Sequence, residues 1–525
     1  MSQAWHRLVT SLETSFEPLE KEFHEAYWDS QIEASPDSER RRAELELELR
    51  RLKGDPAALA KINEALAEDI HEPILQRQLE VLRLSLTGNQ MPDDQRAILV
   101  ELSTLVESEF ASYRPEVDGR RLTENDVEKI LASEEEDQDL RRRAWEASKE
   151  IGERVAGQVR ELARLRNEVA RNLGFGDYYN FALDLQELNG DWLFEVLGEL
   201  EALTDEPFRR WKESLDQSLS ERFGTEELYP WHYADPFFQA LPPEGKVDVG
   251  NLLSGTSAAD LAKRTFSTWD VDISNVIEKS DLYPRDNKCQ HAFCLDVDRA
   301  SDVRILANIV PGERWVEVML HESGHAAYDV SIDPSLPYLL RRAAHTFVTE
   351  AIAIMSGRLV RRPKWLLDIA GVDPSAVAEI QQELLRTSAA QSLMFVRWGL
   401  VVVHFERALY ADPEGDLDSH WWDLVERFQL VNRPPDRSAP DWAAKIHVAA
   451  APAYYQNYLL GELLASQLEQ TCIDECGEYV GEPAAGRLLK DRIFRLGSSQ
   501  RWDALIQGAT GRPLGAASFA KSISP

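Results

Sequence analysis

The stretch Val318-Met-Leu-His-Glu-Ser-Gly-His-Ala-Ala-Tyr328 contains the pattern His-Glu-x-x-His, with histidines at positions 321 and 325 and a glutamate at position 322. On an α-helix, side chains four residues apart lie on the same face, so His321 and His325 can both offer a ring nitrogen to one cation. Glu322 would then lie beside a water bound to that cation. This arrangement is typical of zinc hydrolases, and the pattern therefore predicts a zinc site on a helix.

The residues around this pattern are mostly apolar, which indicates a buried helix. They include Trp315, Val318, Met319 and much of the run over residues 326–330. Two buried histidines and a buried glutamate are costly without a compensating partner, and a metal ion is such a partner. The alternative is a pair of core histidines satisfied by hydrogen bonds, which we regard as the weaker interpretation.

A catalytic zinc site needs a third protein ligand and an open fourth position. The extended metzincin pattern would place a histidine at position 331, where this chain has Ser331. Downstream as far as residue 361, the acidic residues are Asp329, Asp333 and Glu350. Asp329 continues the zinc helix and would have to reach past His325, and Asp333 lies in a turn-like segment.

Glu350 lies in an apolar helical pattern over residues 339–359, where an unpaired carboxylate would be expensive. We therefore predict Glu350 as the third ligand. The alternative is a buried ion pair between Glu350 and Arg341 or Arg342. His345 is the only other imidazole in this span, and it is the second candidate for the ligand position.

The composition limits the classes of function. The chain has 525 residues, 43% of them hydrophobic, and a formal net charge of -33. This acidity argues against binding to nucleic acid or to anionic membranes, which both need a basic surface. The N-terminus lacks a basic region followed by an apolar run, no apolar segment reaches about 18 residues, and cysteines are sparse. We expect a cytoplasmic protein with reduced thiols.

Helical patterns dominate the chain. Residues 1 to about 115 form charged amphipathic helices that are broken at Asp55-Pro56 and Glu72-Pro73. An aromatic, proline-containing loop follows at residues 229–238, and such loops often rim a cleft. Between residues 289 and 310 the hydrophobic period changes to two, which predicts a hairpin that turns at residues 298–302. The sequence thus predicts a mainly α protein with one small antiparallel hairpin next to the zinc helix.

A second informative stretch covers residues 445–458. It places Lys445, His447, Tyr454, Tyr455 and Tyr458 close together in the chain. These side chains are the donors that a peptidase needs to hold a carboxylate and a tetrahedral oxyanion. Taken alone, the cluster is also compatible with ordinary packing at the start of a helix.

With both stretches in place, the sequence resembles the angiotensin-converting-enzyme family of zinc peptidyl-dipeptidases, which are gluzincin peptidases related to the thimet-oligopeptidase group. The resemblance is discontinuous but extends almost end to end, through residues 16–28, 291–294, the helix with His321 and His325, and residues 350–352, 363–366, 445–458 and 502–519. It implies a single catalytic domain over residues 1–525, an ellipsoid of two helical halves that flank a deep cleft. It also implies that the helices of residues 1 to about 115 form a lid.

The resemblance implies one zinc ion per chain, held by His321, His325 and Glu350. Glu322 would act as the general base and later as the proton donor to the leaving amine. Zinc would lower the pKa of the attacking water and polarise the scissile carbonyl. The substrates would be short peptides.

The remaining roles also follow from the resemblance, position by position. His447 and Tyr458 match the pair that forms hydrogen bonds to the tetrahedral intermediate. Lys445 and Tyr455 match groups that bind the C-terminal carboxylate of the substrate. The groups that would hold the peptide in extended form are His291 and the backbone of Ala292.

Several positions depart from the family pattern. One extra residue lies between Lys445 and Tyr455, and the glutamine of the carboxylate pocket has no counterpart near residues 262–266. Asn457 replaces the arginine that is tied to chloride activation in animal members, so we expect no chloride dependence. The acidic residue that supports the zinc ligands four positions after the glutamate is Ile354 here, so this support must come from elsewhere.

We therefore predict a zinc peptidase that acts on short peptides and releases C-terminal dipeptides. An oligoendopeptidase or carboxypeptidase of the thimet-oligopeptidase type is the alternative within the class. A catalytically inactive helical peptide-binding protein is the alternative from another class, and the intact Glu322 next to two histidines argues against it. The sequence leaves the oligomeric state open.

Overall fold

The computed structural model describes residues 2–133, 135–239, 241 and 249–523. It is mainly α, as predicted. Its α-helices, in chain order, are α1 (Ser2–Ile32), α2 (Pro36–Lys53), α3 (Pro56–Leu66), α4 (Pro73–Thr87), α5 (Asp93–Ser112), α6 (Glu124–Ala132), α7 (Gln138–Asn172), α8 (Tyr178–Leu185), α9 (Gly190–Phe223), α10 (Val249–Leu252), α11 (Ala258–Thr268), α12 (Ser274–Lys279), α13 (Glu313–Val330), α14 (Thr346–Gly357), α15 (Pro363–Trp365), α16 (Pro374–Ala411), α17 (Leu417–Gln429), α18 (Ile446–Ala450), α19 (Gln456–Cys476), α20 (Pro483–Arg492), α21 (Trp502–Thr510) and α22 (Ala517–Ser522).

The strands of the described residues form two short antiparallel hairpins. The first pairs β1 (Glu116–Val117) with β2 (Arg120–Arg121), and the sequence patterns did not predict it. The second pairs β3 (Phe293–Asp296) with β4 (Val303–Leu306), which confirms the hairpin predicted before the zinc helix. Within the described part of the chain, no helix is long and apolar enough to cross a membrane.

The chain divides into two compact units. Unit 1 comprises Met1–Gln90, Val247–Leu384 and Leu460–Leu514, and unit 2 comprises Met91–Lys246, Leu385–Leu459 and Gly515–Pro525. The helix with the His-Glu-x-x-His pattern belongs to unit 1. The stretch over residues 445–458 belongs to unit 2.

In unit 1, prolines start the N-terminal helices at the predicted breaks. Helix α3 begins at Pro56 and helix α4 at Pro73, where the missing proline N–H costs no helical hydrogen bond. The Asp55 side chain caps α3 by accepting a hydrogen bond from the backbone N–H of Ala57 at 2.9 Å.

A buried ion cluster ties α1 to the turn of the β3–β4 hairpin within unit 1. The Glu20 carboxylate is 4% exposed and contacts Lys53 at 2.5 Å and Arg299 at 2.9 Å, and it accepts a hydrogen bond from the Tyr338 hydroxyl at 2.5 Å. Burial alone would raise the pKa of Glu20, but Arg299, Lys53 and the Tyr338 hydrogen bond outweigh it and hold the pKa at about 2. Helix α1 and the end of α2 are thereby anchored to the hairpin that precedes α13.

The hairpin turns at the residues that the sequence predicted, between Asp296 and Val303. Phe293 pairs with Leu306 at its open end, and the Asp298 carboxylate accepts hydrogen bonds from three backbone N–H groups of the turn at 3.0 Å each. The Phe293 ring packs against Tyr27 and Trp28 of α1, with ring centroids 5.7 and 6.2 Å apart. The hairpin is therefore held by α1 on one side, and β3 contributes to the site described below.

Helices α13 and α14 pack closely because of a glycine inside the His-Glu-x-x-His pattern. A Cβ atom on Gly324 would lie 2.8 Å from the Cα of Ala353 and 3.0 Å from the carbonyl oxygen of Ile352. Only glycine allows this approach of the two backbones.

Helix α14 begins later than the apolar pattern over residues 339–359 suggested. It starts at Thr346, because the His345 ring caps it by accepting a hydrogen bond from the backbone N–H of Phe347 at 3.1 Å. The residues before it form a short 3₁₀ turn, Tyr338–Leu340, and an irregular segment. Glu350 still lies on the helix, in its second turn.

In unit 2, two buried charged groups shape the aromatic loop. The Arg141 guanidinium donates hydrogen bonds to the carbonyls of residues 231, 232 and 233 at 2.9, 3.2 and 3.1 Å. The Asp235 carboxylate accepts hydrogen bonds from the backbone N–H groups of Phe237 and Gln239, each at 2.9 Å. These contacts fix the positions of Phe237 and Gln239.

Candidate metal centre and substrate-binding residues

The structure brings His321, His325 and Glu350 together in unit 1. The Nε2 atoms of the two histidines lie 3.7 and 3.9 Å from the same carboxylate oxygen of Glu350. One potential ligand atom from each of the three residues lies within 4.8 Å of the other two. Zinc bonds to nitrogen and oxygen are about 2.0–2.2 Å long, so one ion placed among these atoms can reach all three after small side-chain adjustments.

The protonation states of the histidines suit a metal ligand. Burial lowers the pKa of His321 to about 4, and burial together with the neighbouring His321 ring lowers the pKa of His325 to about 3. Both rings are therefore neutral at pH 7 and carry a lone pair. Neutral imidazoles and a carboxylate are the donor set that zinc takes in peptidases, so the residues present fit the ion.

Thr349 supports one of the histidines. Its hydroxyl oxygen lies 2.7 Å from Nδ1 of His325, which leaves Nε2 directed towards Glu350. A histidine that donates Nδ1–H to an oxygen keeps its lone pair on Nε2 and has a fixed ring orientation. Thr349 thus provides the support that Ile354 cannot, and no pattern in the sequence indicated this role.

Glu350 is supported from behind by α19. A Cβ atom on Gly461 would lie 3.2 Å from the Cβ of Glu350 and 3.1 Å from a side-chain carbon of Ile354. The bare glycine lets α19 pack against α14 at the position of the carboxylate. This packing restricts the movement of Glu350 away from the histidines.

Glu322 is the buried acid next to this group, with 8% of its surface exposed. Burial and the nearby Glu350 raise its pKa to about 8, although a hydrogen bond with the backbone of Cys294 on β3 acts in the opposite direction. A divalent cation at the histidines would favour the charged form again. A carboxyl group with a pKa near the working pH is suited to accept and return a proton.

The other residues of unit 1 that the sequence singled out, His291, Ala292 and His345, lie outside the group of three possible metal ligands. His291 is exposed and Ala292 half-buried, and both precede β3 directly. His345, the second candidate for the third ligand, is not part of the group of possible ligands, and its ring packs on Phe347 with centroids 4.5 Å apart.

In unit 2, Lys445 pairs with Gln239, a glutamine that no pattern in the sequence indicated. The Lys445 ammonium donates a hydrogen bond to Oε1 of Gln239 at 2.9 Å and lies 5.2 and 5.3 Å from the ring centroids of Phe237 and Trp398. Burial lowers the pKa of Lys445. Gln239 is 206 residues away in sequence, on the aromatic loop, so no local pattern connects the two.

The tyrosines and the histidine of the second stretch form a ring cluster, and Trp398 contacts both this cluster and Lys445. The Tyr455 hydroxyl accepts a hydrogen bond from the indole N–H of Trp398 at 2.8 Å, and burial raises its pKa to about 12. The Tyr455 ring lies 5.4 Å, centroid to centroid, from both His447 and Tyr458. Tyr455 is therefore protonated at neutral pH, and its own O–H remains a hydrogen-bond donor.

A mainly helical fold in which two histidines and a glutamate can together bind one metal ion, with a second buried glutamate beside them, defines a gluzincin-type zinc metallopeptidase. Comparison with protein families agrees. A family model described as angiotensin-converting enzyme matches residues 2–197, and one described as peptidase family M3 matches residues 131–525. Because the second match covers more than half of the chain, the protein belongs to peptidase family M3. No individual curated protein is significantly similar to it.

Both families are gluzincin metallopeptidases, which confirms the resemblance found in the sequence at the level of this group. The protein is an enzyme that hydrolyses peptides with one zinc ion as cofactor.

Proposed function

We propose that this peptidase releases dipeptides from the C-terminus of short peptides. The pairing of Lys445 with Gln239 is the observation that carries the proposal. The Lys445 ammonium and the Gln239 amide are suited to bind a terminal carboxylate, because both can donate hydrogen bonds to it. Trp398 contacts both Lys445 and the Tyr455 hydroxyl, so we assign this hydroxyl to the same carboxylate. The match of residues 2–197 to the angiotensin-converting-enzyme model also supports it.

We assign the zinc to His321, His325 and Glu350. When bound there, zinc supplies a Lewis acid that acidifies a water molecule and polarises the scissile carbonyl. Glu322 accepts the proton of the attacking water and delivers it to the leaving amine. Its buried position excludes competing solvent and places its pKa near neutrality, which suits both transfers.

Two further pairs of residues complete the assignment. His447 and Tyr458 donate hydrogen bonds to the oxyanion that forms as the carbonyl is attacked, and this stabilisation is large in a site that excludes water. His291 and the backbone of Ala292 hold the substrate in extended form. The position of Ala292 directly before β3 supports this role, because an extended peptide can add its backbone to a strand edge.

The carboxylate assignment is tested with a matched pair of substrates. The same N-terminally blocked pentapeptide is offered with a free C-terminus and with a C-terminal amide. We expect the amide to lower kcat/KM at least tenfold in the native enzyme, and much less in the Lys445→Met and Gln239→Leu variants. Equal kcat/KM for the two substrates in the native enzyme would contradict a carboxylate pocket.

Membership of family M3 favours a second candidate, an oligoendopeptidase or carboxypeptidase of the thimet-oligopeptidase type. Mass analysis of the products from the blocked pentapeptide separates the candidates. Dipeptides support our proposal, single amino acids indicate a carboxypeptidase, and internal fragments indicate an oligoendopeptidase.

An inactive peptide-binding protein is the alternative from another class. The Glu322→Gln variant decides against it if turnover falls about 10²–10⁴-fold while one zinc ion is retained, because only the proton transfer is then lost. Peptide binding without turnover in the native protein would favour the alternative.

We place the protein in the cytoplasm. Its four cysteines are free thiols, which is the usual state in a reducing compartment. Cell fractionation tests this, and recovery of the protein outside the cytoplasm would contradict it.

A further inference from the structure

The short turn between α18 and α19 has an unusual backbone. Ala453 is 1% exposed and has a φ of +52°, a left-handed conformation that alanine rarely adopts. The turn lies between His447 and Tyr458, the two residues assigned to the oxyanion. Hydrogen bonds with the surrounding side chains hold Ala453 in this conformation.

A buried glutamate binds the N–H of this peptide unit. Oε1 of Glu406, on α16, accepts a hydrogen bond from the backbone N–H of Ala453 at 2.8 Å, and Glu406 is 1% exposed. Burial raises the pKa of Glu406 to about 8, although the Ala453 hydrogen bond and the charge of Arg166 act in the opposite direction. Burying a carboxyl group lowers the stability of the fold, so its position under the turn indicates a functional role.

Two glutamines bind the carbonyl of the same residue. The side-chain amides of Gln186 and Gln456 donate hydrogen bonds to the Ala453 carbonyl at 3.1 and 2.5 Å. The amide of Asn457 in turn donates a hydrogen bond to Oε1 of Gln186 at 2.8 Å. Both polar groups of Ala453 are thus held by side chains, and the residue next to Tyr458 is held by the same network.

Helix α16 holds this segment at two points. Trp398 binds the Tyr455 hydroxyl at 2.8 Å, and Glu406, eight residues later, binds the Ala453 N–H. Eight residues are about two helical turns, so both contacts come from neighbouring faces of one rigid helix. Tyr458 itself lies in the first turn of α19, immediately after the clamped residues.

We propose that Glu406 and Gln186 are positioning residues that fix the turn at Ala453 and thereby hold Tyr458 in its catalytic orientation. This inference rests on the proposed role of Tyr458. An error of about 1 Å in the position of a catalytic donor costs roughly 10²-fold in rate, so a clamp on the preceding turn acts on kcat.

The experiment measures kcat and KM of Glu406→Leu, Glu406→Gln and Gln186→Ala. Glu406→Leu removes the acceptor for the Ala453 N–H, and we expect kcat to fall at least tenfold while KM changes less than threefold. Glu406→Gln keeps an acceptor oxygen in place and should retain most of kcat. Gln186→Ala removes a half-buried partner of the carbonyl, should lower kcat in the same way, and carries the test if Glu406→Leu fails to fold.

A double-mutant cycle separates positioning from general destabilisation. Tyr458→Phe alone should lower kcat, and Glu406→Leu added to it should cause no further loss, because the clamp acts through the Tyr458 hydroxyl. Lys212→Met is the matched control, since it disrupts a buried network with Asp216 and Tyr233 in the same unit. It should lower thermal stability and leave kcat unchanged.

These measurements distinguish a failure of the clamp formed by Glu406 and Gln186 from a failure of the proposed role of Tyr458. The inference is overturned if Tyr458→Phe is slow while Glu406→Leu and Gln186→Ala keep native kcat, or if the losses multiply in the double variant. If Tyr458→Phe itself keeps native kcat, the proposed role of Tyr458 is wrong and the inference falls with it.

Discussion

Replacement of Thr349 by valine removes the hydroxyl that holds His325 and leaves the shape of the side chain almost unchanged. In the native protein the hydroxyl oxygen lies 2.7 Å from Nδ1 of His325. Valine is β-branched like threonine and fits the same position on α14. The perturbation therefore isolates the hydrogen bond from the packing.

The expected loss follows from this contact. Groups that orient a metal ligand are worth about 10–100-fold in metal affinity, and carboxylates form stronger hydrogen bonds than neutral hydroxyls. Thr349 is neutral and half-buried, so we expect its loss to have an effect at the lower end of this range. The zinc Kd should rise about tenfold, which corresponds to about 1.4 kcal/mol of binding free energy.

The assay is competition for zinc between the protein and a chromophoric chelator of known affinity. Thr349→Ser keeps the hydroxyl and should bind zinc like the native protein. Thr346→Val, with the same chemical change at an exposed position of α14, is the matched control and should have no effect. A native zinc affinity in Thr349→Val would refute the idea that this hydroxyl supports the ligand.

Three further predictions concern packing, acid stability and anions. Gly324→Ala should lower the free energy of unfolding by about 1–3 kcal/mol, because the added Cβ meets the backbone of α14. Gly157→Ala is the control: the new Cβ has open space on α7, so the free energy of unfolding should rise by up to about 1 kcal/mol. Equal effects of the two variants in urea unfolding would contradict the close packing of α13 and α14. Because the folded-state pKa of Glu20 is about 2, below its ordinary value of 4.5, its ionisation stabilises the fold by roughly 3 kcal/mol above pH 4.5, and this contribution is lost as the pH falls towards 2. The difference in urea midpoint between the native protein and Glu20→Gln should therefore shrink over that range, and a constant difference would be inconsistent with the ion cluster. Exchange of sodium chloride for sodium methanesulfonate at equal ionic strength should leave kcat/KM within twofold, because Asn457 donates a neutral amide hydrogen bond to Gln186 where an arginine would bind an anion; activation by chloride would argue against this.

The parts of the centre that follow helical geometry were predictable from the sequence. The spacing of His321 and His325 places both on one helix face, and the apolar surroundings of Glu350 indicate a carboxylate that needs a buried partner. The structure places these three residues together. The change of hydrophobic period before α13 likewise predicted the β3–β4 hairpin.

Other features depend on contacts that no local pattern encodes. Gln239 and Lys445 are 206 residues apart in the sequence, so their contact depends on the tertiary fold. The sequence around Thr349 likewise does not show that its hydroxyl contacts His325, 24 residues earlier. The start of α14 was predicted too early, because apolar residues continue through a segment that the His345 cap separates from the helix. The strands β1 and β2 are two residues long, too short to show an alternating pattern.

We assign one zinc ion to His321, His325 and Glu350. An anomalous difference map from crystals of the zinc-loaded protein, collected above and below the zinc absorption edge, tests this assignment most directly. We predict a single strong peak about 2.0–2.2 Å from Nε2 of both histidines and from a carboxylate oxygen of Glu350. A zinc peak bound by other residues, or no peak among these three side chains, would show that they do not form the zinc site.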